Sequence, residues 1–173
     1  MQGLSGNTAQ DKLLILFLLW KAGIWLGELQ IVQVMTELGI LNYFAVKSAL
    51  VSLQEDGLIE KSHADGMTSY RIREEGIRTI GTLETDLRRS WRESIEAYIK
   101  EHYPALQEAS RFHAYFLEDP PGHFRTHLEI HSGGTLIFEL VLQADSRQDA
   151  KRMLRKWREN AVEIYQSVLA SLC

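Results

Sequence analysis

Apolar residues in the first third of the chain recur at the three- and four-residue spacing that predicts amphipathic helices. A motif that resembles a capping box, Thr8-x-x-Asp11, opens the first of them. A second helix is expected over about 27–38, and a third begins after Asn42, which is a favourable N-cap residue. Two helices joined by so short a turn predict a helix-turn-helix.

Two short strands are predicted directly after these helices, over about 59–73. Asp65-Gly66 lies between them and is typical of a two-residue hairpin turn. In that register Ile59 lies opposite Ile72 at the base of the hairpin, and the polar tip projects outward. A hairpin beside a helix-turn-helix indicates the wing of a winged helix.

Helical spacing then continues over 76–110, which we interpret as linking or dimerisation helices. A second capping box, Ser90-x-x-Glu93, predicts a break near residues 88–90. Pro104 is expected to end this region, because a proline inside a helix removes a backbone donor.

The period changes to two residues in the last third of the chain. Alternating apolar positions predict strands at about 112–117, 124–130 and 136–142, and a long helix follows Ser146. This pattern indicates a three-stranded antiparallel sheet with one helix on its apolar face. Because 63 residues make only a thin core, we expect this module to pack on the rest of the chain and not to fold alone.

The fold class that follows is α+β. The winged helix-turn-helix is expected over 1–75, the linking helices over 76–110, and the C-terminal module over 111–173.

The loop between the last two strands sets their register. A two-residue glycine turn would place Leu136 opposite His131, whereas a three-residue loop over 132–134 pairs Ile130 with Leu136. A slip of one residue moves every side chain to the other face of a sheet. Because only the longer loop keeps both apolar sets on one face, we predict that loop, with Gly134 in a left-handed conformation.

Composition and charge narrow the class of protein. The chain has 173 residues, of which 45% are hydrophobic, and its net charge is −4, so a packed core is expected without a broad basic surface. Cys173 is the only cysteine and permits no disulfide within one chain, which suits a cytoplasmic location. The apolar run over 13–20 is too short to span a bilayer, which takes about 20 residues, so no membrane partner is expected.

Several phrases of the sequence resemble a bacterial winged-helix family known only as a domain of unknown function. The phrases are "DKLLILFLLWKAG", "LNYFAVKSALVSLQEDGLIEKS", "SYRIREEG" and "QDAKRMLRKWRENAVEIYQSVL". The N-terminal half is similar to the PadR and MarR groups of transcriptional regulators. The resemblance implies a DNA-binding winged helix that forms a homodimer. This sequence has Arg73 where the family usually has threonine, which removes an N-cap hydroxyl and adds a charge near the wing.

A winged helix reads duplex DNA with the N-terminal half of its third helix and with the wing. The candidate DNA-binding residues are Asn42, Tyr43, Lys47, Ser48, Ser52, Lys61, Arg71 and Arg73. Self-association is expected through Trp91, Ile95 and Tyr98 of the linking helices. The sequence neither names nor excludes a small-molecule effector.

Charge weighs against this interpretation, since residues 1–75 contain six Lys plus Arg and nine Asp plus Glu. Glu60 lies opposite Arg71 in the predicted wing, whereas Lys47 has no acidic residue three or four positions away. We therefore expect Lys47 to be the most available cation. The alternative is a winged helix that contacts only other proteins.

No motif indicates an enzyme, because the sequence lacks a Gly-x-Ser-x-Gly motif, a phosphate-binding glycine loop and metal-spaced cysteines. On one strand His127 and His131 would be about 13 Å apart, too far to share a metal ion. His127 is instead expected opposite Glu139 as an exposed pair. We therefore predict no catalytic residue, no metal and no cofactor. Ile137 and Val141 fall on the polar face of the sheet, which suggests that another element, a small ligand or a partner subunit covers them.

Overall fold

The computed structural model describes residues 8–64, 67–118, 120–133 and 135–173. The elements are α1 (Thr8–Ala22), β1 (Leu26–Gly27), α2 (Glu28–Glu37), α3 (Tyr43–Glu55), β2 (Ile59–Ala64), β3 (Met67–Ile72), α4 (Glu74–Leu83), α5 (Arg89–Ser110), β4 (Phe112–Glu118), β5 (Phe124–Ser132), β6 (Thr135–Ala144) and α6 (Arg147–Leu172). The mixed α+β class is confirmed: helices come first, and a three-stranded antiparallel sheet and a long helix end the chain.

The chain divides into two compact units. The first holds the described residues up to Lys61 together with Thr68–Leu106, and the second holds Ser62–Met67 together with Gln107–Cys173. None of the helices in the described ranges combines the length and the apolar composition that a bilayer crossing requires.

The apolar run near the N-terminus forms the centre of the first unit. Every residue from Leu14 to Leu19 is at most 1% exposed, as expected for a buried helix. α1 ends at Ala22, where Gly23 adopts a φ of 64° and its N–H bonds the carbonyl of Leu19 at 3.0 Å. α1 packs against α3 and α4, so the least polar helix is surrounded by its neighbours.

The second and third helices form as their sequence predicts. Gly27 is the N-cap residue of α2, and Asn42 caps α3 by accepting a hydrogen bond from the N–H of Ala45 at 2.9 Å. The buried residues of α3 recur at helical spacing and are Val46, Ala49, Leu50 and Leu53. Because this stripe faces the core, the opposite face of α3 is exposed to solvent.

A small sheet follows the helices, and its strand order is β1-β3-β2. β1 is only two residues long, pairs Leu26 with Tyr70, and was not predicted. The predicted turn residues, Asp65 and Gly66, lie outside the described residues. Met67, next to the turn, is 56% exposed, and Arg158 of the same unit donates to its sulfur at 4.0 Å.

The helical region that follows breaks where its sequence predicts but ends later. A 3₁₀ turn over Glu84–Asp86 separates α4 from α5, close to the predicted break. Pro104 lies inside α5, which continues to Ser110, so the expectation that it ends the region is wrong. A proline removes one helical hydrogen bond. Leu106, two residues later, is only 6% exposed in the core, and its burial stabilises the continued helix.

The second unit confirms the predicted sheet and helix. Its strands lie in the order β4-β5-β6, and all neighbours are antiparallel. Ser146 caps α6, which covers one face of the sheet, and Trp157 is 1% exposed between α6 and the strands. The core of this face also contains Ala114, Leu128, Ile130, Leu154 and Ala161.

The predicted register of β5 and β6 is wrong by two residues. Ile130 pairs with Phe138, and His131 pairs with Leu136, so Ile137 is an extra residue in β6. The short-loop pairing therefore holds at the end of the hairpin, and a β-bulge then returns the apolar residues to the α6 face. Without a bulge, only the longer loop would keep both apolar sets on one face. Gly134, for which a left-handed conformation is predicted, lies outside the described residues.

Candidate nucleic-acid interface

The N-terminal half of α3 presents an exposed surface. Tyr43 and Phe44 are 47% and 79% exposed, and their rings meet edge to face with centroids 5.5 Å apart. Ser48 is also exposed, whereas Ser52 is half-buried. Asn42 is exposed, but its side-chain oxygen already accepts the cap hydrogen bond, so only its amide N–H₂ is left for another partner.

Lys47 forms an ion pair that the sequence did not indicate. Its ammonium group lies against the carboxylate of Glu28 at the start of α2, and the hydroxyl of Tyr70 in β3 donates to the same carboxylate at 3.0 Å. The expectation that Lys47 is the most available cation is therefore wrong. The helical neighbours of Lys47 are uncharged, but tertiary folding brings an acid from 19 residues away.

The contacts among Glu28, Lys47 and Tyr70 favour the charged forms of Glu28 and Lys47. Burial raises the pKa of the Glu28 carboxyl, but hydrogen bonds from Lys47 and Tyr70 outweigh it and leave the pKa below its usual value. The hydrogen bond to Glu28 raises the pKa of Lys47. Burial, and then the same carboxylate, raise the pKa of Tyr70. The cluster thus holds one carboxylate between an ammonium group and a neutral phenol.

Arg71 in β3 is also engaged within the unit. Its guanidinium donates to Glu60 at 2.7 Å, which agrees with the local neutralisation expected for the wing. The same guanidinium lies over the ring of Trp25, 4.6 Å from its centroid. The planar contact holds Arg71 against the protein surface.

Lys61 and Arg73 are the two exposed cations of the predicted interface. Neither side chain forms a hydrogen bond or an ion pair with another residue in the described part of the chain, although the Lys61 ammonium lies close enough to influence Glu28. Arg73 is the N-cap residue of α4 and makes no side-chain cap hydrogen bond. These two side chains carry the positive charge that is free to meet a polyanion.

Three residues that organise this surface were missed from the sequence: Trp25, Glu28 and Tyr70. Each acts through a neighbour far along the chain, so helical spacing could not reveal it. The one local signal is that Trp25 and Glu28 flank Leu26-Gly27, the two residues that pair with β3.

Large apolar side chains are exposed on α2 and α3. Leu29 is 77% exposed, and Val51 is 53% exposed on the same helix as Tyr43 and Phe44. Both helices thus expose large apolar side chains to solvent.

The residues predicted for self-association lie largely inside their own unit. Ile95 is fully buried, and Trp91 and Tyr98 are half-buried against the same core. The side chain of Ile95 is therefore not part of the surface that another subunit could contact. Helical spacing shows that these residues share one face of α5. It does not show whether that face packs in the core of its own unit or against another subunit.

Comparison with known protein families gives one match. A family model described as "Domain of unknown function (DUF4364)" matches residues 11–172. The comparison with curated proteins and the comparison with solved structures gave no significant match. The family match carries no statement about a winged helix or about PadR- and MarR-type regulators, so that part of the resemblance stays a prediction.

Proposed function

The chain belongs to the DUF4364 family, and we propose that it is a winged-helix transcriptional regulator that binds duplex DNA as a homodimer. One observation carries the proposal: the exposed half of α3 is followed directly by the β2–β3 hairpin, which bears exposed Lys61, and Arg73 lies just beyond it. A helix followed by two exposed cations, one in the hairpin and one just beyond it, suits a major groove and its flanking phosphates.

Each part of the surface has its own task in this proposal. The segment 42–55 enters the major groove, where Tyr43 and Ser48 meet base edges. The hairpin segment, residues 59–73, contacts the backbone, and Lys61 and Arg73 neutralise phosphates. Lys47 and Arg71 instead hold the helix and the hairpin in position, because both cations are paired with carboxylates of the same unit.

The charge balance shapes the expected affinity. Residues 1–75 carry three more acids than bases, and two of the four cations of the interface are internally paired. Because phosphate neutralisation supplies most non-specific affinity, binding to arbitrary DNA should be weak. Specific binding then depends on two copies of the reading helix, spaced about 34 Å apart on a two-fold site.

A second candidate function is protein–protein interaction without DNA. Leu29, Phe44 and Val51 are more than half exposed, and Lys47 is neutralised, so the surface of α2 and α3 also suits an apolar partner. An apolar partner surface would bury these side chains, whereas DNA would leave much of the Leu29 side chain in water.

Selection of bound genomic fragments by the purified protein, followed by fluorescence anisotropy on the best fragment over a salt series, tests the proposal. Substitution of both Lys61 and Arg73 by alanine should lower affinity and reduce the salt slope by about two. The matched control replaces Arg78 and Arg89, exposed cations of α4 and α5, and should leave the slope unchanged. Failure to enrich any fragment, or an equal effect of both double substitutions, would favour the protein-interaction function.

A further inference from the structure

The face of the second sheet that points away from α6 carries a compact group of ionisable side chains. His127 and Glu129 are two residues apart on β5, so their side chains share a face. Glu139 on β6 is the direct cross-strand partner of Glu129, which places it on that face as well. The group is made by two neighbouring strands and does not depend on a loop.

The three side chains converge. One ring nitrogen of His127 and one carboxylate oxygen each of Glu129 and Glu139 all lie within 4.8 Å of one another. The Nδ1 of His127 is 2.7 Å from Oε1 of Glu139. Ligands that each lie about 2 Å from a common ion are separated by no more than about 4 Å, so small side-chain adjustments close the set around one ion.

The two carboxylates are opposed in an unusual place. Glu129 is 3% exposed, and its direct partner in the ladder is a second glutamate. Like charges directly opposite each other destabilise a sheet. A cation held between Glu129 and Glu139 would remove the repulsion and use both carboxylates as ligands.

The surrounding side chains hold the group in position. The ring of His131 is 2.7 Å from the Glu129 carboxylate and can orient it by donating a hydrogen bond. The ring of His127 stacks flat on Tyr115, with centroids 4.8 Å apart and planes 1° from parallel. The Nε2 of His127 is buried and has no hydrogen-bond partner among the described residues.

We infer that His127, Glu129 and Glu139 form a binding site for one divalent transition-metal ion of the zinc or manganese class. An imidazole with two carboxylates suits these ions better than Mg²⁺ or Ca²⁺, which prefer oxygen ligands alone. Three protein ligands leave a coordination position for water or for an anionic ligand. His131 acts as a positioning residue that orients Glu129. The inference concerns the second unit and does not depend on DNA binding.

The test uses the full-length protein with Cys173 replaced by serine, so that a thiol does not compete for the metal. After dialysis against a chelator, Zn²⁺ and Mn²⁺ are titrated in competition with a chromogenic chelator. We expect one high-affinity Zn²⁺ site per chain. Glu139→Gln should weaken it at least tenfold, since even residues that only orient metal ligands change affinity by about 10- to 100-fold.

Two matched controls separate this site from surface binding. His123→Gln, in the turn before β5, and Glu159→Gln, on α6, remove the same chemical groups outside the cluster and should leave the affinity unchanged. His127→Gln is a second test variant, and Glu139→Gln keeps the test valid if that variant fails to fold, because Glu139 is an exposed residue. Absence of a site tighter than about 100 µM, or a site that Glu139→Gln does not weaken, would overturn the inference.

Discussion

The ammonium group of Lys47 in α3 lies against the carboxylate of Glu28, the first residue of α2, and Tyr70 of β3 donates to the same carboxylate. One partly buried carboxylate thus joins the second helix, the third helix and the small sheet. The pairing withdraws a cation from the surface where DNA is proposed to bind.

Removing the charge of Glu28 should therefore strengthen DNA binding. Glu28→Gln frees the ammonium group of Lys47 for a phosphate, so we expect higher affinity and a salt slope that is steeper by about one. Fluorescence anisotropy with the selected DNA fragment between 50 and about 200 mM salt measures both quantities. Circular dichroism confirms that the variant is folded.

The matched control for that substitution is Glu55→Gln, which removes one negative charge at the exposed C-terminal end of α3. It should change the slope by much less than one unit, because it frees no cation. Equal effects of Glu28→Gln and Glu55→Gln would show that net charge, and not Lys47, governs binding.

Acid should remove the contribution of Glu28 to stability. Its folded-state pKa is lowered, so the charged carboxylate stabilises the fold above the usual glutamate value of 4.5 and the contribution is lost as the pH falls through the lowered value. Urea unfolding of the wild type and Glu28→Gln from pH 7 to pH 3 measures this. The wild type should be the more stable protein at pH 7, and the difference should shrink below the usual value. A difference that grows on acidification would contradict the lowered pKa.

Two glycines of α4 should respond in opposite ways to alanine. A Cβ on Gly76 would lie 2.3 Å from the carbonyl oxygen of Leu58, which accepts a hydrogen bond from Arg73, so Gly76→Ala should destabilise by about 1–3 kcal/mol or more. Gly81 has nothing within 4 Å of that position, so Gly81→Ala should stabilise by up to about 1 kcal/mol. Thermal and urea unfolding compare the two. Equal effects would show that helix propensity alone matters here.

The bulge in β6 makes one deletion tolerable and another harmful. Deleting Ile137 leaves Phe138 opposite Ile130 in a continuous ladder, so the free energy of unfolding should change little. Deleting Val141 moves every later side chain of β6 to the opposite face, which exposes Ala144 and buries Gln143. Yield of soluble protein and the melting temperature of the two deletions distinguish them. Similar losses would show that Ile137 is not the extra residue.

The sequence by itself determined most of the elements and their buried faces. The stripe of Val46, Ala49, Leu50 and Leu53, and the caps at Asn42 and Ser146, follow from residues within one or two turns of each other. Such patterns are readable because the period of a helix or a strand places near neighbours on the same face, whatever the rest of the chain does.

Only the tertiary structure decided which charges meet. Lys47 pairs with Glu28 across two helices, Glu129 meets Glu139 across two strands, and the bulge at Ile137 sets which residues of β6 face His127. Each contact joins positions on different elements, so it depends on how those elements pack and on a register that one extra residue changes. Local spacing carries no information on packing or register. The sequence therefore could not show which cations are unpaired or which side chains form the candidate metal site, and the folded chain does.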